Sequence, residues 1–81
     1  MKTNDLKKGT MVMQRNGLKA KLLDNRKGNS RLAEVYGIAT DIGSIYANDI
    51  IARQYGGVWI HDIEYTPQQE ENRMMRKVMG L

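Results

Sequence analysis

Asn16-Gly17 stands between two segments that alternate apolar and polar residues, Thr10-Met11-Val12-Met13-Gln14-Arg15 and Leu18-Lys19-Ala20-Lys21-Leu22-Leu23. An Asn-Gly pair readily supplies the positive φ angles of a type I′ turn, so residues 10–23 are expected to form a β-hairpin. In its second strand Leu18, Ala20 and Leu22 fall on one face and Lys19 and Lys21 on the other, which puts the lysines opposite the core.

The same grammar continues downstream. Residues 31–38, Arg31 to Ile38, read as a third strand in which Gly37 marks a bulge or bend. The stretch from Ser44 to Ala52 begins as a strand and is expected to be interrupted by one helical turn at Asn48-Asp49. Gly56-Gly57 makes another turn before Val58 to Tyr65, which is rich in aromatic and β-branched residues. At Thr66-Pro67-Gln68-Gln69 the pattern becomes helical: Thr66 caps, Pro67 suits the first helical position and Gln69 completes a capping box. Glu70 and Glu71 then lie near the positive end of the helix dipole and Arg73, Arg76 and Lys77 nearer its negative end, with Gly80 as the stop. Met74, Met75, Val78 and Met79 share one face over the last two turns. That face is expected to dock on the sheet; its other outcome is a methionine-rich surface for a partner.

These elements predict a mainly β fold: residues 1–65 as a small SH3-like, partly open barrel of about five strands, and residues 66–81 as a C-terminal helix. An OB-like barrel is the second architecture, disfavoured because it calls for longer strands and a helix in mid-chain. A chain of 81 residues has room for one core but hardly for a deep catalytic cavity as well. It contains no Phe, so Tyr36, Tyr46, Tyr55, Trp59 and Tyr65 must supply the aromatic part of the core, Trp59 among those expected inside. The absence of cysteine excludes disulfides and Cys-ligated zinc and fits a reducing cytoplasm. No apolar run approaches the roughly 20 residues of a membrane span, and none follows the N-terminal charges, so a soluble, unprocessed protein without a membrane partner is expected.

The net charge of +4 conceals a strong asymmetry. Residues 1–31 hold nine Lys and Arg against two acids, residues 32–71 one Arg against seven acids, and the last ten residues three cations. The basic part culminates in "DNRKGNSR", residues 24–31, joining the second and third strands. Paired strands would gather Lys19, Lys21, Arg26, Lys27 and Arg31 into a surface able to neutralise phosphates, with hydrogen bonds from Asn25, Asn29 and Ser30. Tyr36, Tyr46 and Tyr55 are the aromatics available for stacking.

Little else carries chemistry. His61 is the sole histidine, and in a strand it points away from Asp62, which leaves metal binding and a catalytic triad without a second group. Asp24, Asp41, Asp49 and Asp62 each lie near a turn or strand end, where Asp commonly bonds the backbone. No GxxxxGK[ST] or GxGxxG phosphate loop occurs. An enzyme is therefore not expected, nor a cofactor.

The run "DLKKGTMVMQRNGLKAKLLDNRKGNSRLAEVYG", then "DIGSIYANDI", Gly57-Val58-Trp59 and "EYTPQQ" resembles a group of small, largely uncharacterised proteins encoded by tailed bacteriophages. The resemblance spans nearly the whole chain. It implies a viral accessory product acting in the host cytoplasm and transfers no catalytic residue. A looser likeness is to KOW and other SH3-like modules of transcription and translation factors; the central KOW glycine pattern is not reproduced, so that likeness bears on fold rather than activity. The leading expectation is a non-enzymatic factor that binds and modulates a host macromolecule. A protein is favoured over nucleic acid because the acidic middle of the chain would repel phosphate and the Met-rich end suits protein contacts. The alternatives are a nucleic-acid-binding module using the surface from Lys19 to Arg31, and a homo-oligomer that sequesters a small nucleotide at a subunit interface.

Overall fold

The computed structural model describes residues 1–80. Six antiparallel strands form one open, curled sheet: β1 (Met11–Gln14), β2 (Lys19–Leu22), β3 (Ser30–Tyr36), β4 (Thr40–Tyr46), β5 (Ile50–Tyr55) and β6 (Val58–Ile60). Their order is β4-β3-β2-β1-β5-β6. Short 3-10 turns occupy Thr3–Asp5 and Ala47–Asp49, and the helix α1 spans Pro67–Val78. The fold is thus mainly β, a small partly open barrel-like sheet with one C-terminal helix, and the helical turn expected at Asn48-Asp49 lies between β4 and β5. Strand count is six because the 3-10 turn at Ala47–Asp49 divides the segment read from Ser44 to Ala52 into β4 and β5, and Gly56-Gly57, with φ of 58° and 78°, turns β5 into β6 as expected.

The core lies on the concave side. Val12, Ala20, Leu22, Ala33, Ile45 and Ile50 meet there, closed over by Leu6, with Val35 and Ile63 at its margin. Each large aliphatic side chain removed from water contributes about 1.5–3 kcal/mol. Three of the four fully buried alanines, Ala20, Ala33 and Ala52, lie on strands and leave room for them to curve inward. The aromatic core expected from the composition is not formed: the buried hydrophobic residues are aliphatic, and Trp59 is only half-buried on the terminal strand β6. A strand at the sheet margin has no second layer to press it into.

Three local expectations are corrected by the backbone. Gly17 has φ 88°, but no described residue other than glycine has positive φ, so Asn16-Gly17 is not a type I′ turn. Gly17 N–H instead donates to Gln14 O at 2.9 Å and Gln14 N–H to Leu18 O at 3.0 Å, a three-residue loop in which only Gly17 takes the left-handed conformation. The Asn16 carboxamide turns back to accept from Leu18 N–H at 2.9 Å, which removes the need for a left-handed Asn. Gly37 lies in the turn between β3 and β4 rather than within a strand. The last predicted strand stops at Ile60; beyond it only Glu64 bridges to Lys2.

Helix α1 begins as its sequence demands. Thr66 Oγ1 accepts from Gln69 N–H at 3.2 Å, Gln69 Oε1 accepts from Thr66 N–H at 3.0 Å, and Pro67 occupies the first turn. The helix is anchored by polar groups. Gln69 is 1% exposed: its Oε1 also accepts from Thr3 Oγ1 at 2.6 Å, and its Nε2 donates to Gly28 O at 2.9 Å. Asn48 Nδ2 donates to the Gln69 carbonyl at 3.0 Å. The expected docking of the apolar face does not occur. Met74, Met75, Val78 and Met79 are 67%, 56%, 84% and 67% exposed. The capping Gln69 and, two turns on, Arg76 fix which side of the helix meets the sheet, and the methionines lie on the other.

Candidate functional site

The loop Asp24–Ser30 is a clasp rather than a phosphate grip. Arg31, at its end, is 1% exposed. Its Nε and Nη2 donate to Gly28 O at 3.0 and 2.8 Å, Nη1 to Thr3 O at 3.0 Å, and Nη2 to Asn4 Oδ1 at 2.9 Å. Asn4 Oδ1 in turn accepts from Gly28 N–H at 3.2 Å. Asn29 Oδ1 accepts from Asn48 N–H at 3.2 Å and Asn25 Oδ1 from Lys8 N–H at 2.7 Å. Burial pushes the Arg31 pKa down while the nearby Asp24 carboxylate opposes the shift.

The basic surface drawn from the sequence therefore divides. Arg31, Asn25 and Asn29 are spent on the fold, and Arg26 is paired with Asp24 at 3.0 Å. Lys19 and Lys21 do lie on the convex face of β2, opposite the buried Ala20 and Leu22, but Lys21 sits across from Glu34. Lys27 alone of the loop's cations stays exposed with no hydrogen-bond or ion-pair partner among the described residues. The three tyrosines do not form a platform. Tyr36 and Tyr46 lie at opposite ends of the β3–β4 ladder, and Tyr55 at the tip of β5. Arg76 covers the Tyr46 ring at 4.4 Å and Arg53 approaches that of Tyr55 at 5.9 Å. Burial and the neighbouring Glu34 carboxylate raise the Tyr36 pKa.

A different basic cluster assembles where the β1–β2 loop, the 3-10 turn at Asn48 and α1 converge. Arg15, Asp49, Arg73, Arg76 and Lys77 line a depression of about 270 Å³. Arg15 is held by Asn48 O at 3.0 Å and by the Tyr65 hydroxyl at 3.2 Å, and Tyr65 donates to Ile50 O at 2.5 Å. Arg76 reaches Asp49 Oδ2 at 3.2 Å and Asn48 Oδ1 at 3.4 Å. Asp49 thus stands between two guanidinium groups, its other oxygen 4.0 Å from Arg15. Four cations against one carboxylate leave the depression strongly positive. Sequence reasoning missed it because Arg15 and Arg73–Lys77 are joined only by the fold; the cationic last ten residues were the available signal.

Next to this depression a groove of about 320 Å³ is lined by Glu70, Arg73, Met74 and Lys77. The helix thus presents exposed methionine beside arginine and lysine, on a scaffold fixed by Gln69 and Arg76. Among the described residues no group of three or more His, Cys, Asp or Glu side chains is placed to hold a metal, and no helix is long and apolar enough to cross a membrane. Comparison with family models, with curated proteins and with solved structures returns no match.

Proposed function

We propose that this chain is a non-enzymatic binding module that engages and modulates a protein, using α1 and the arginine-rich depression beside it as one surface. The observation that carries this reading is the inverted helix: polar Gln69 and Arg76 attach it to the sheet, and Met74, Met75, Val78 and Met79 face outward. Clustered apolar exposure on a small protein marks an interaction site, and methionine suits a surface that adapts to its partner. The flanking Arg73, Lys77, Arg76 and Arg15 define the partner's chemistry as an acidic segment with one apolar side. Its apolar side chains cover Met74 and Val78, and its carboxylates meet the cations. The resemblance to phage products supports a host cytoplasmic protein as the target.

Nucleic acid is the second reading, and the four cations around the depression are what favour it. It rests on Arg15, Arg73, Arg76 and Lys77 rather than on the loop ending at Arg31. The two readings separate on capture of partners from a bacterial lysate by the tagged chain and by Met74→Ser/Val78→Ser, with and without nuclease. The protein reading expects one stoichiometric protein that survives nuclease and is lost from the variant. Loss of every partner on nuclease treatment, or equal retention by the variant, overturns it.

A further inference from the structure

Asn16 and Gly17 form the tip of the β1–β2 loop, and both are exposed. The Asn16 carboxamide is held differently from the others in the chain. Asn4 and Asn29 tie separate elements together through Gly28 N–H and Asn48 N–H, Asn25 reaches Lys8 N–H, Asn48 is fully buried and Asn72 lies within α1. Asn16 Oδ1 instead accepts from Leu18 N–H at 2.9 Å, a bond inside its own turn. Asn16 is also the only asparagine followed by glycine.

That hydrogen bond encloses the side-chain carbonyl carbon, Cγ, and the Gly17 nitrogen in one ring of the turn, and joining the two closes a five-membered ring. Gly17 presents no Cβ to obstruct the approach, and its surroundings are open: a Cβ built on it would meet nothing within 4 Å. Negative charge developing on Oδ1 during attack falls on an oxygen that already accepts from Leu18 N–H, the arrangement that stabilises an oxyanion. Arg15 and Arg76, which line a depression of about 390 Å³ together with Asn16 and Asp49, favour loss of a proton from the Gly17 amide. Gly17 N–H must first leave Gln14 O, at 2.9 Å, and a single bond at an exposed loop tip opens readily.

We infer that Asn16 is a site of spontaneous deamidation, which places a carboxylate beside Arg15 and Arg76. Hydroxide removes the Gly17 amide proton, the nitrogen bonds to Asn16 Cγ, and the bond from Cγ to Nδ2 breaks; Nδ2 takes a proton from water and leaves as ammonia. Water then adds to either carbonyl of the cyclic imide and cleaves its bond to the Gly17 nitrogen, which recovers a proton. Opening at the side-chain carbonyl gives an aspartyl residue, opening at the main-chain carbonyl an isoaspartyl one. Amide and water have become acid and ammonia, with no oxidation or reduction. The new carboxylate joins Asp49 against Arg15 and Arg76 and lowers the charge of the arginine-rich depression by one. This limits the lifetime of that surface, a consequence that rests on its reading as the site for an acidic partner; the modification itself does not.

Peptide mapping of the aged full chain tests the modification. Trypsin cuts after Arg15 and Lys19 and releases residues 16–19 as one peptide. After incubation at neutral and at alkaline pH this peptide is expected to gain the mass of an amide turned acid, to split into two isomers, and to do so faster at the higher pH. Peptides carrying the other asparagines change at least about tenfold more slowly. An unchanged 16–19 peptide overturns the inference, as does equally fast change at the other asparagines. Poly-L-glutamate is the probe for the consequence: Asn16→Asp, its fold confirmed by circular dichroism, binds it at least about threefold more weakly than wild type at low salt. Equal binding overturns the consequence alone. No binding by wild type counts against the acidic-partner reading, and the peptide map still decides the modification.

Discussion

The Nη1 of Arg31 donates to the backbone carbonyl of Thr3 at 3.0 Å, across 28 positions of sequence. The same guanidinium takes Gly28 O and Asn4 Oδ1, so the most cationic loop of the chain closes over the N-terminal turn instead of reaching for an external anion.

Replacing Arg31 removes four charge-assisted hydrogen bonds, although each acceptor keeps one other donor: Gln69 Nε2 for Gly28 O, Gly28 N–H for Asn4 Oδ1 and Leu6 N–H for Thr3 O. Arg31→Met is expected to destabilise by about 2–4 kcal/mol, the loss of several hydrogen bonds from a charged donor, less what the apolar side chain regains. Arg31→Lys recovers only part, since an ammonium lacks the planar fork that reaches three acceptors. Urea unfolding followed by Trp59 fluorescence checks both, and a loss below about 0.5 kcal/mol for the Met variant contradicts the clasp.

Arg53 and Asp62 give the stability its acid dependence. Nε and Nη2 of Arg53 both donate at 2.9 Å, and this pairing holds the Asp62 carboxyl at about 2, below its ordinary 3.8. A depressed folded-state value stabilises above the unfolded pKa and is lost as pH falls through the folded one. The contribution is therefore complete above pH 3.8 with a margin for titration, and disappears as pH drops toward about 2. Asp62→Asn should lower the urea midpoint at neutral pH and flatten its fall on acidification. An acid limb as steep as wild type's would exclude Asp62 as its source.

The outward face of α1 should be energetically idle in the isolated protein. Met74→Ser and Val78→Ser are expected to change unfolding free energy by no more than about 0.5 kcal/mol each, as for exposed sites without partners. Gln69→Ala should cost more, because it removes the capping box together with the bonds to Thr3 and Gly28. Chemical denaturation of the three variants separates a free face from a docked one: a large loss for Val78→Ser would place that side chain against the sheet.

What was legible in the sequence was local. The Thr66 cap, the helical interruption at Asn48-Asp49, the lysines of β2 opposite Ala20 and Leu22, and the turn at Gly56-Gly57 depend on neighbours within a few residues. The fate of Arg31 depends on the carbonyls of Thr3 and Gly28, and a backbone carbonyl carries no label in the sequence. Its side chain looks the same whether it meets solvent or a distant oxygen. The Asn16 turn failed for a related reason: its side chain found the amide of Leu18, and a single glycine sufficed to reverse the chain. The candidate surface was half legible. Met74 to Met79 were recognised as a stripe, but its orientation was set by Gln69, and its flank was completed by Arg15 from more than fifty positions away.

Gln69 makes the two extremities of the chain thermodynamically inseparable. Its single carboxamide touches the first turn through Thr3, the β2–β3 loop through Gly28 and its own helix start through Thr66. Opening any one of the three breaks a hydrogen bond of this buried carboxamide. The N-terminal turn, the loop and the first turn of α1 consequently form one cooperative unit that opens together, while the end of the helix beyond the Arg76 anchor frays without disturbing it. A partner seated on those outer turns would draw on conformational freedom that the barrel itself never has to give up.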